Sequence, residues 1–494
     1  MSKLVSFGKN AMEKMLCGLD TAADAVSGTI GPKGRNVYLQ EIYGNKIVND
    51  GVTIASKVVL KDPEEDMGAF VIRNATSQTN DDVGDGTTTT AILTQAIIHE
   101  CLARPENPME IRTSLNAAAE TVYAKLKSQS VPITTEDIER VALISAEDPT
   151  IAHIISEVTQ KLGVKAVINV EDAKTLETDY EIVDGYEAPV GFLSPYFSDP
   201  KTGKAVLTDV PVLVTDKKIS NVIDIKPLFD QFAKESIGSC VIVCDDIENS
   251  MLGVLVTNKL QGRFNPLVIK AHGDILKDIE GATGATMVSD STGVTFQSIT
   301  TGQLGFAKSV ISDQHKTLFL GDGIASKEYA DVLERQVDTE PNQYIKKKIE
   351  ERVAQLRGGI AVIRIAAPTD LEREYLKLKA EDAIKAVQAA LEEGIVTGGG
   401  LALWDIAQNI STDTVGGIVL KKSLIAPARK IIENGGQDYT EIMSKPDDYK
   451  LSLKDVSDPT KVERIALQNA VSAAGALITS FALITDIPDA THDK

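Results

Sequence analysis

The sequence predicts a multidomain α+β protein in which an α/β segment is inserted into a helical platform. The chain has 494 residues, and a single hydrophobic core stops growing at about 250–300 residues, so two or more domains are expected. Apolar residues at helical spacing dominate both end segments of the chain. Runs of β-branched residues that alternate with helical patterns dominate the middle, as in an α/β domain.

The helical pattern is clearest in five stretches of the two end segments. In each stretch the apolar residues recur every three or four positions, which is typical of a helix with one buried face. The predicted helices cover residues 11–26, 83–102, 109–126, 381–391 and 462–484.

The middle segment alternates predicted strands with predicted helices. The strands cover residues 166–170, 210–215, 240–244, 267–271, 287–288 and 317–320, and the helices cover residues 225–234, 250–260 and 274–283. Glycines flank this segment at Gly185 and at Gly358-Gly359, and we interpret them as hinges. A charged amphipathic stretch at 329–353 contains Pro341, which favours two helices over one long helix.

Composition excludes several classes of function. Lys and Arg total 51 against 71 Asp and Glu, a net charge of −20, which argues against binding to nucleic acid or to an anionic membrane. The N-terminus lacks the apolar run of a signal peptide. Four cysteines are too few for a disulfide scaffold. We therefore expect a soluble cytoplasmic protein without a nucleic-acid or membrane partner.

A loop rich in glycine and threonine, residues 84–90, carries the clearest chemical signal. It reads Gly-Asp-Gly followed by four threonines. Glycines let backbone N–H groups turn toward an anion, and the following helix, expected to begin near Ala91, adds positive potential. The threonine hydroxyls can donate to phosphate, and Asp85 offers the hard oxygen that Mg²⁺ prefers. An N-capped helix after an Asp-Gly turn would not require four consecutive hydroxyls, so phosphate binding is favoured.

Other candidate positions are ambiguous when each is taken alone. Residues 31–34 are also typical of a simple turn, and the glycines at 398–400 also suit a close helix–helix approach. Asp50 and Asp382 fit a turn residue and an exposed helix acid. The five histidines lack ligand spacing, and no Walker A or G-x-G-x-x-G pattern is present.

Nine segments, taken together and in order, are similar to the group I chaperonins of the GroEL type. They are residues 29–36, 49–53, 84–89, 167–172, 192–197, 216–221, 381–382, 394–400 and 458–462. The resemblance implies three domains. These are an equatorial ATP-binding domain (1–128 and 393–494), a small hinge-like intermediate domain (129–184 and 361–392) and an inserted α/β apical domain (185–360) that binds substrate and co-chaperonin.

The resemblance implies an ATPase with ATP, Mg²⁺ and K⁺ as cofactors. The implied nucleotide contacts are Thr29, Ile30, Gly31 and Pro32 along the phosphates, Gly86, Thr87, Thr88 and Thr89 in the phosphate cradle, and Gly399 and Asp458 at the ribose and adenine. Asp85 would bind Mg²⁺, and backbone oxygens near Thr29 and Thr88 would bind K⁺. Asp382 would orient the attacking water, with Asp50 as its partner.

The resemblance also implies a homo-oligomeric ring, of seven subunits, that captures and encloses non-native polypeptides and accepts a GroES-type co-chaperonin. Its apolar groove would comprise Phe192, Tyr196, Phe197, Phe229, Leu252 and Val256, although these residues fit core packing equally well on their own. The alternative function is a chaperonin-derived binding or scaffold protein with weak or lost ATPase cycling.

Three departures from the family pattern motivate this alternative. Asn49 stands where the family usually has a phosphate-side lysine. Lys226 and Thr257 occupy groove positions that are normally apolar. The segment 445–458 is shorter than the hairpin of the family, so the usual adenine contacts are missing there.

Overall fold

The computed structural model describes residues 3–41, 44–163, 167–173, 175, 177–200, 202–453 and 455–486. Residues up to Leu162 are mostly helical. In order the elements are β1 (Lys3–Phe7), α1 (Gly8–Ser27), β2 (Val37–Glu41), β3 (Gly44–Val48), α2 (Gly51–Lys57), α3 (Pro63–Val83), α4 (Thr87–Leu102), α5 (Pro108–Gln129), α6 (Thr135–Ala146) and α7 (Pro149–Leu162).

The middle of the chain alternates strands and helices, as the sequence predicts. Its elements are β4 (Val167–Asp172), β5 (Asp179–Ala188), β6 (Ala205–Ile219), α8 (Val222–Glu235), β7 (Ser239–Ile247), α9 (Asn249–Leu260), β8 (Asn265–Lys270), α10 (Gly273–Thr283), β9 (Gly305–Ser312), β10 (Thr317–Gly321), α11 (Ile324–Thr339), α12 (Gln343–Arg357) and β11 (Gly359–Ile365). The chain breaks between α11 and α12 at Pro341, as predicted.

The last part of the chain returns to helices. Its elements are α13 (Asp370–Glu393), β12 (Ile395–Thr397), α14 (Leu401–Gln408), α15 (Val415–Ser423), α16 (Ala426–Asn434), α17 (Tyr439–Met443), α18 (Pro446–Ser452), β13 (Ser457–Pro459), α19 (Thr460–Ile478) and β14 (Ala482–Asp486). Among the helices of the described ranges, none is both long and apolar enough to cross a membrane.

Local sequence signals set many of the helix starts. Asp62, Asn107 and Asp148 each accept a hydrogen bond from a backbone N–H in the first turn of the following helix, and a proline follows each of them. A side-chain cap satisfies a free backbone N–H, and proline at the first helical position already has the required φ. These caps explain why α3, α5 and α7 begin where they do.

Two predicted helices need correction. The stretch 83–102 is not one helix, because Gly84 and Gly86 adopt left-handed backbone angles (φ +68° and +76°) and separate α3 from α4. Helix α4 therefore begins at Thr87 and not near Ala91. The stretch 462–484 ends as a helix at Ile478, and β14 then pairs antiparallel with β1.

The chain divides into two compact units. Unit 1 comprises Met1–Val164, Val170–Asp179 and Arg364–Lys494, and unit 2 comprises Lys165–Asn169 and Tyr180–Ile363. The largest core of unit 1 is formed by helix faces, and it includes Leu19, Leu93, Leu115 and Leu467. The limits of unit 2 lie close to those predicted for the apical domain, and the finer three-domain division stays a prediction.

Strands of the middle segment form a mixed eight-stranded sheet with the order β4-β11-β5-β10-β9-β6-β7-β8. Strands β6, β7 and β8 are parallel, whereas β9 is antiparallel to β6 and β10 is antiparallel to both β9 and β5. Helices α8 and α9 are the crossovers between the parallel strands, as parallel pairing requires. The remaining pairs β1–β14, β2–β3 and β12–β13 are two-stranded sheets in unit 1.

Candidate functional site

The first glycine-rich loop (residues 29–36) is fixed against α1 and α16. The Thr29 hydroxyl donates to the Val26 carbonyl at 2.9 Å, and Gly31 has φ +85°. The Asn434 side-chain amide donates to the carbonyls of Ser27 and Ile30, both at 3.0 Å. Sequence reasoning missed Asn434, because its role depends on the distant end of α16 reaching this loop.

The second loop (residues 84–90) presents the N-terminus of α4. No side chain caps this helix, so its first N–H groups remain available to an anion. The Asp85 carboxylate accepts from the Gly86 N–H at 2.6 Å and from the Ser145 hydroxyl of α6 at 3.0 Å. The Thr90 hydroxyl is buried and bonds Thr79 at 2.9 Å. Thr90 therefore contributes to packing between helices, and its hydroxyl is not positioned to bind a ligand.

The first and second loops meet at two hydroxyl groups. The Oγ1 atoms of Thr29 and Thr88 are 3.1 Å apart. Thr88 and Thr89 are half-buried, whereas Thr87 is buried. Ile30 and Gly31 are also half-buried, and Pro32 is exposed. The two loops predicted to bind phosphate are thus in contact through Thr29 and Thr88.

The third loop (residues 394–400) is joined to β13 through Asp458. Strands β12 and β13 pair antiparallel and place Val396 opposite Asp458. The Gly399 N–H donates to the Asp458 carboxylate at 3.0 Å. Gly399 and Gly400 both have positive φ, +67° and +74°, which glycine adopts without strain. The two predicted nucleotide contacts of this region, Gly399 and Asp458, are therefore brought together.

Asp50 caps α2 and lies beside the second loop. Its carboxylate accepts from the Thr53 N–H at 2.9 Å and from the Val52 N–H at 3.3 Å. A Cβ on Gly51 would come within 2.7 Å of the hydroxyl oxygens of Thr87 and Thr88. Only glycine allows this approach, so the short segment 50–51 is packed directly against the threonines.

Asp382 lies half-buried on α13, close enough to Asp50 and Asp85 for their charges to affect it. Burial raises the pKa of Asp382 well above its ordinary value, and the negative charges of Asp50 and then Asp85 raise it further. Lys379 and Lys385 oppose this pKa shift. The Lys385 stem also fills the space that a Gly84 side chain would need, 1.6 Å from the position of that Cβ. Helix α13 is therefore packed onto the second loop.

Glu463 on α19 is an acid of this region that sequence reasoning missed. It is 7% exposed, and its Oε2 atom is buried without a hydrogen-bond partner. Burial raises the pKa of Glu463, with Asp458 and Asp85 adding to the effect. Burial and the charge of Asp85 likewise raise the pKa of Asp458. The sequence signal is that Ala466 and Leu467, three and four positions later in α19, are apolar and buried, which places Glu463 on the same face of the helix.

The six predicted groove residues in unit 2 differ in exposure and fall into three groups. Phe192 and Phe197 are buried in the core, at 8% and 0% exposure, so their rings are not accessible in this structure. Tyr196 is 64% exposed. Phe229, Leu252 and Val256 are partly buried against the same core.

Both helices of the predicted groove expose further residues, and the two polar departures are on their surface. Ile223 of α8 is 77% exposed, and Val254 of α9 is also exposed. Lys226 forms an ion pair with Asp230 at 2.7 Å, and the Thr257 hydroxyl donates to the Gly253 carbonyl at 2.7 Å. The accessible surface of α8 and α9 therefore contains polar as well as apolar side chains. It lacks the rings of Phe192 and Phe197, which the resemblance to the family had placed in the groove.

The comparison with known protein families decides the identity. The model of the TCP-1/cpn60 chaperonin family matches residues 22–488. The chain therefore belongs to this chaperonin family. Its match over almost the whole sequence confirms the predicted multidomain α+β chaperonin fold.

Two solved structures are similar to this chaperonin over its whole length. Both are crystal structures of the chaperonin gp146 from the bacteriophage EL 2 (Pseudomonas aeruginosa) in the presence of ATP-BeFx. Crystal form II has a TM-score of 0.68 at 20% sequence identity and covers 98% of this chain and 100% of that chain. Crystal form I has a TM-score of 0.63 at 21% identity, with 98% and 99% covered. At this level of identity the similarity establishes a shared fold.

Proposed function

We propose that this chaperonin is an ATP-dependent folding machine of the group I (GroEL) type, in a divergent and shortened form. Members of the family are ATPases, and the similar phage structures were obtained with ATP-BeFx. The observation that carries the proposal is the packing around the second loop. The Asp50-Gly51 segment is packed against Thr87 and Thr88, and α13, which carries Asp382, is packed against Gly84, next to Asp85.

The residues present fit a nucleoside triphosphate. The uncapped N-terminus of α4 and the Thr88 hydroxyl offer donors to phosphate. Within the described parts of the chain, no group of three or more His, Cys, Asp or Glu side chains could hold a metal ion. We propose that Asp85 holds Mg²⁺ together with phosphate and water oxygens, the oxygen ligands that this ion prefers. Backbone oxygens near Thr29 and Thr88 are the proposed K⁺ ligands.

Hydrolysis of ATP needs positioning more than a strong base. Bound ATP supplies the terminal phosphate that is transferred to water. Asp382 would orient the attacking water through its carboxylate, with Asp50, fixed by its backbone hydrogen bonds, as its partner. Because Asp382 belongs to the predicted intermediate domain, movement of that domain would make hydrolysis wait for closure.

Exposed apolar residues in and next to the β1–β14 sheet support assembly into a homo-oligomeric ring, which we propose to have seven subunits. Phe7, Phe481 and Ile484 are 58%, 80% and 61% exposed, and the two phenylalanine rings are 5.9 Å apart. A two-stranded sheet is marginally stable in water, and its free edges invite pairing with another chain. A neighbouring subunit would cover this surface.

We further propose that unit 2 captures non-native polypeptides and a GroES-type co-chaperonin on the surface that includes Tyr196, Phe229, Leu252 and Val256. Burial of apolar area is non-directional, so such a surface accepts many unfolded chains. Exposed apolar residues on α8 and α9 support this role.

Steady-state phosphate release and electron microscopy test the proposal together. We expect release of phosphate from ATP that requires Mg²⁺ and is faster in K⁺ than in Na⁺. Class averages with ATP, recorded with and without a GroES-type partner, should contain rings. Rings without ATP turnover would instead favour a scaffold protein that has lost cycling.

A further inference from the structure

Lys379 is a cation beside the nucleotide loops that the sequence did not indicate. Its ammonium lies 2.8 Å from the Glu147 carboxylate and 3.4 Å from the Asn49 side-chain oxygen. The side chain is 13% exposed. Asn49 directly precedes Asp50 and Gly51, and Gly51 is packed against Thr87 and Thr88. The Lys379 ammonium therefore contacts the residue that directly precedes the Asp50-Gly51 segment packed on these two threonines.

Negative charge dominates this region. Asp50 and Asp85 act on Asp382, and Asp85 also acts on Asp458 and Glu463. A triphosphate would add several more negative charges to the same site. Asn49 is neutral, so the residue at the position of the family's phosphate-side lysine supplies no compensating charge. Lys379 reaches this residue from a different element, α13.

We propose that the Lys379 ammonium binds the terminal phosphates of a nucleoside triphosphate and thereby replaces the cation that Asn49 lacks. This inference rests on the proposed ATPase function. The ammonium exchanges Glu147 for phosphate oxygens when the triphosphate binds. Glu147 keeps a partner after this exchange, because the Tyr375 hydroxyl donates to its other carboxylate oxygen at 2.9 Å.

A purely structural role makes a different prediction. If Lys379 only holds α13 against α6 and Asn49, its loss should weaken binding of every nucleotide or lower the stability of the fold. A phosphate-binding cation should distinguish a triphosphate from a diphosphate, because the ammonium contacts the terminal phosphates. It should also be replaceable by a lysine at position 49.

Calorimetric titration of the full chain with Mg²⁺ and a non-hydrolysable ATP analogue, and separately with ADP, tests the proposal. We expect Lys379→Met to weaken binding of the analogue about tenfold or more and binding of ADP by much less. Asn49→Lys in the Lys379→Met background should restore analogue binding. The matched control is Lys377→Met on the same helix, since Lys377 pairs with Asp172 at 2.7 Å; it should bind both nucleotides like the wild type.

Glu147→Gln gives an independent test that does not remove the lysine. It frees the ammonium from its competing acid, so the analogue should bind more tightly than to the wild type. If Lys379→Met does not fold, Glu147→Gln still tests the proposal. Unchanged or weaker binding of the analogue by Glu147→Gln overturns it. Equal loss of analogue and ADP binding in Lys379→Met, or no rescue by Asn49→Lys, also overturns it while the ATPase function stands. A wild-type chain that binds no nucleotide overturns both.

Discussion

The hydroxyl oxygens of Thr29 and Thr88 lie 3.1 Å apart, although 59 positions separate the two residues. Thr29 is itself anchored to the end of α1 through the Val26 carbonyl, and Thr88 is in the first turn of α4. This hydrogen bond joins the first and second glycine-rich loops into one surface. The two loops therefore act as a single phosphate site in the proposed function.

Thr88→Val tests this junction. The substitution removes the hydroxyl but keeps the shape of the side chain, so the expected loss is one or two hydrogen bonds, about 1–2 kcal/mol. We expect an increase of about tenfold in the KM for ATP, measured by steady-state phosphate release. Thr21→Val is the control, because Thr21 is exposed and its hydroxyl bonds only the Cys17 carbonyl. Equal KM values for both variants would contradict a role of Thr88 in nucleotide binding.

Gly51→Ala tests the close approach of the Asp50 segment to the second loop. The added methyl group would lie 2.7 Å from the Thr87 and Thr88 hydroxyl oxygens, so α2 or the loop must shift. We expect reduced nucleotide affinity and a free energy of unfolding lower by about 1–3 kcal/mol. Gly28→Ala is the control, since nothing lies within 4 Å of its added methyl group. Wild-type affinity in Gly51→Ala would show that the contact is unimportant.

Glu463→Gln tests the buried acid that has no hydrogen-bond partner at Oε2. The folded-state pKa of Glu463 is raised by burial and by Asp458 and Asp85. Above this pKa the folded wild-type protein keeps a charge in an unfavourable site, which lowers its stability. As the pH falls from this pKa toward the ordinary glutamate pKa the cost declines, and it is gone below the ordinary value, where the unfolded chain is protonated as well. The neutral variant should therefore be more stable than the wild type at alkaline pH.

The stability difference between Glu463→Gln and the wild type should shrink as the pH falls through the raised pKa. Denaturant unfolding at a series of pH values measures it. Glu13→Gln serves as the control, because Glu13 is exposed in α1 and forms only an exposed ion pair with Lys9. A stabilisation by Glu463→Gln that is constant with pH, or a destabilisation at alkaline pH, would be inconsistent with a raised pKa.

Tyr196→Ser tests the proposed capture surface of unit 2. The ring is 64% exposed, so its loss should leave the fold intact and remove apolar area available to an unfolded chain. We expect weaker suppression of aggregation of a urea-unfolded protein, with affinity reduced about threefold to tenfold. Tyr344→Ser is the control, since Tyr344 of α12 is in the same unit and is even more exposed, at 79%. Identical effects of the two variants would argue against a specific groove.

Much of the fold follows from local sequence signals. Asn107-Pro108 marks the start of α5, and Pro341 separates α11 from α12. The β-branched runs predict the parallel strands, because such side chains suit a sheet buried on both faces. These features are predictable because neighbouring residues decide them.

The failures have equally physical causes. Val83 is the last residue of α3, so the predicted helix that began there ran across the turn at Gly84 and Gly86 into α4. The apolar residues of β14 fit a helix or a strand, since short runs do not distinguish the two. The positions of Lys379 and Glu463 depend on how α13 and α19 pack against the second loop. Helix packing of this kind cannot be read from spacing within one element.

The most direct test of the proposed ATPase is to measure both ATP hydrolysis and nucleotide affinity for the variant Asp382→Ala. The substitution removes the carboxylate that orients water but leaves the phosphate donors of the three loops in place. We predict nucleotide affinity within about twofold of the wild type and phosphate release slower by about 100-fold or more. Asp370→Ala, at the exposed start of α13 where Asp370 pairs with Arg373, should hydrolyse ATP normally. Turnover by Asp382→Ala near the wild-type rate would contradict the proposed function of this acid.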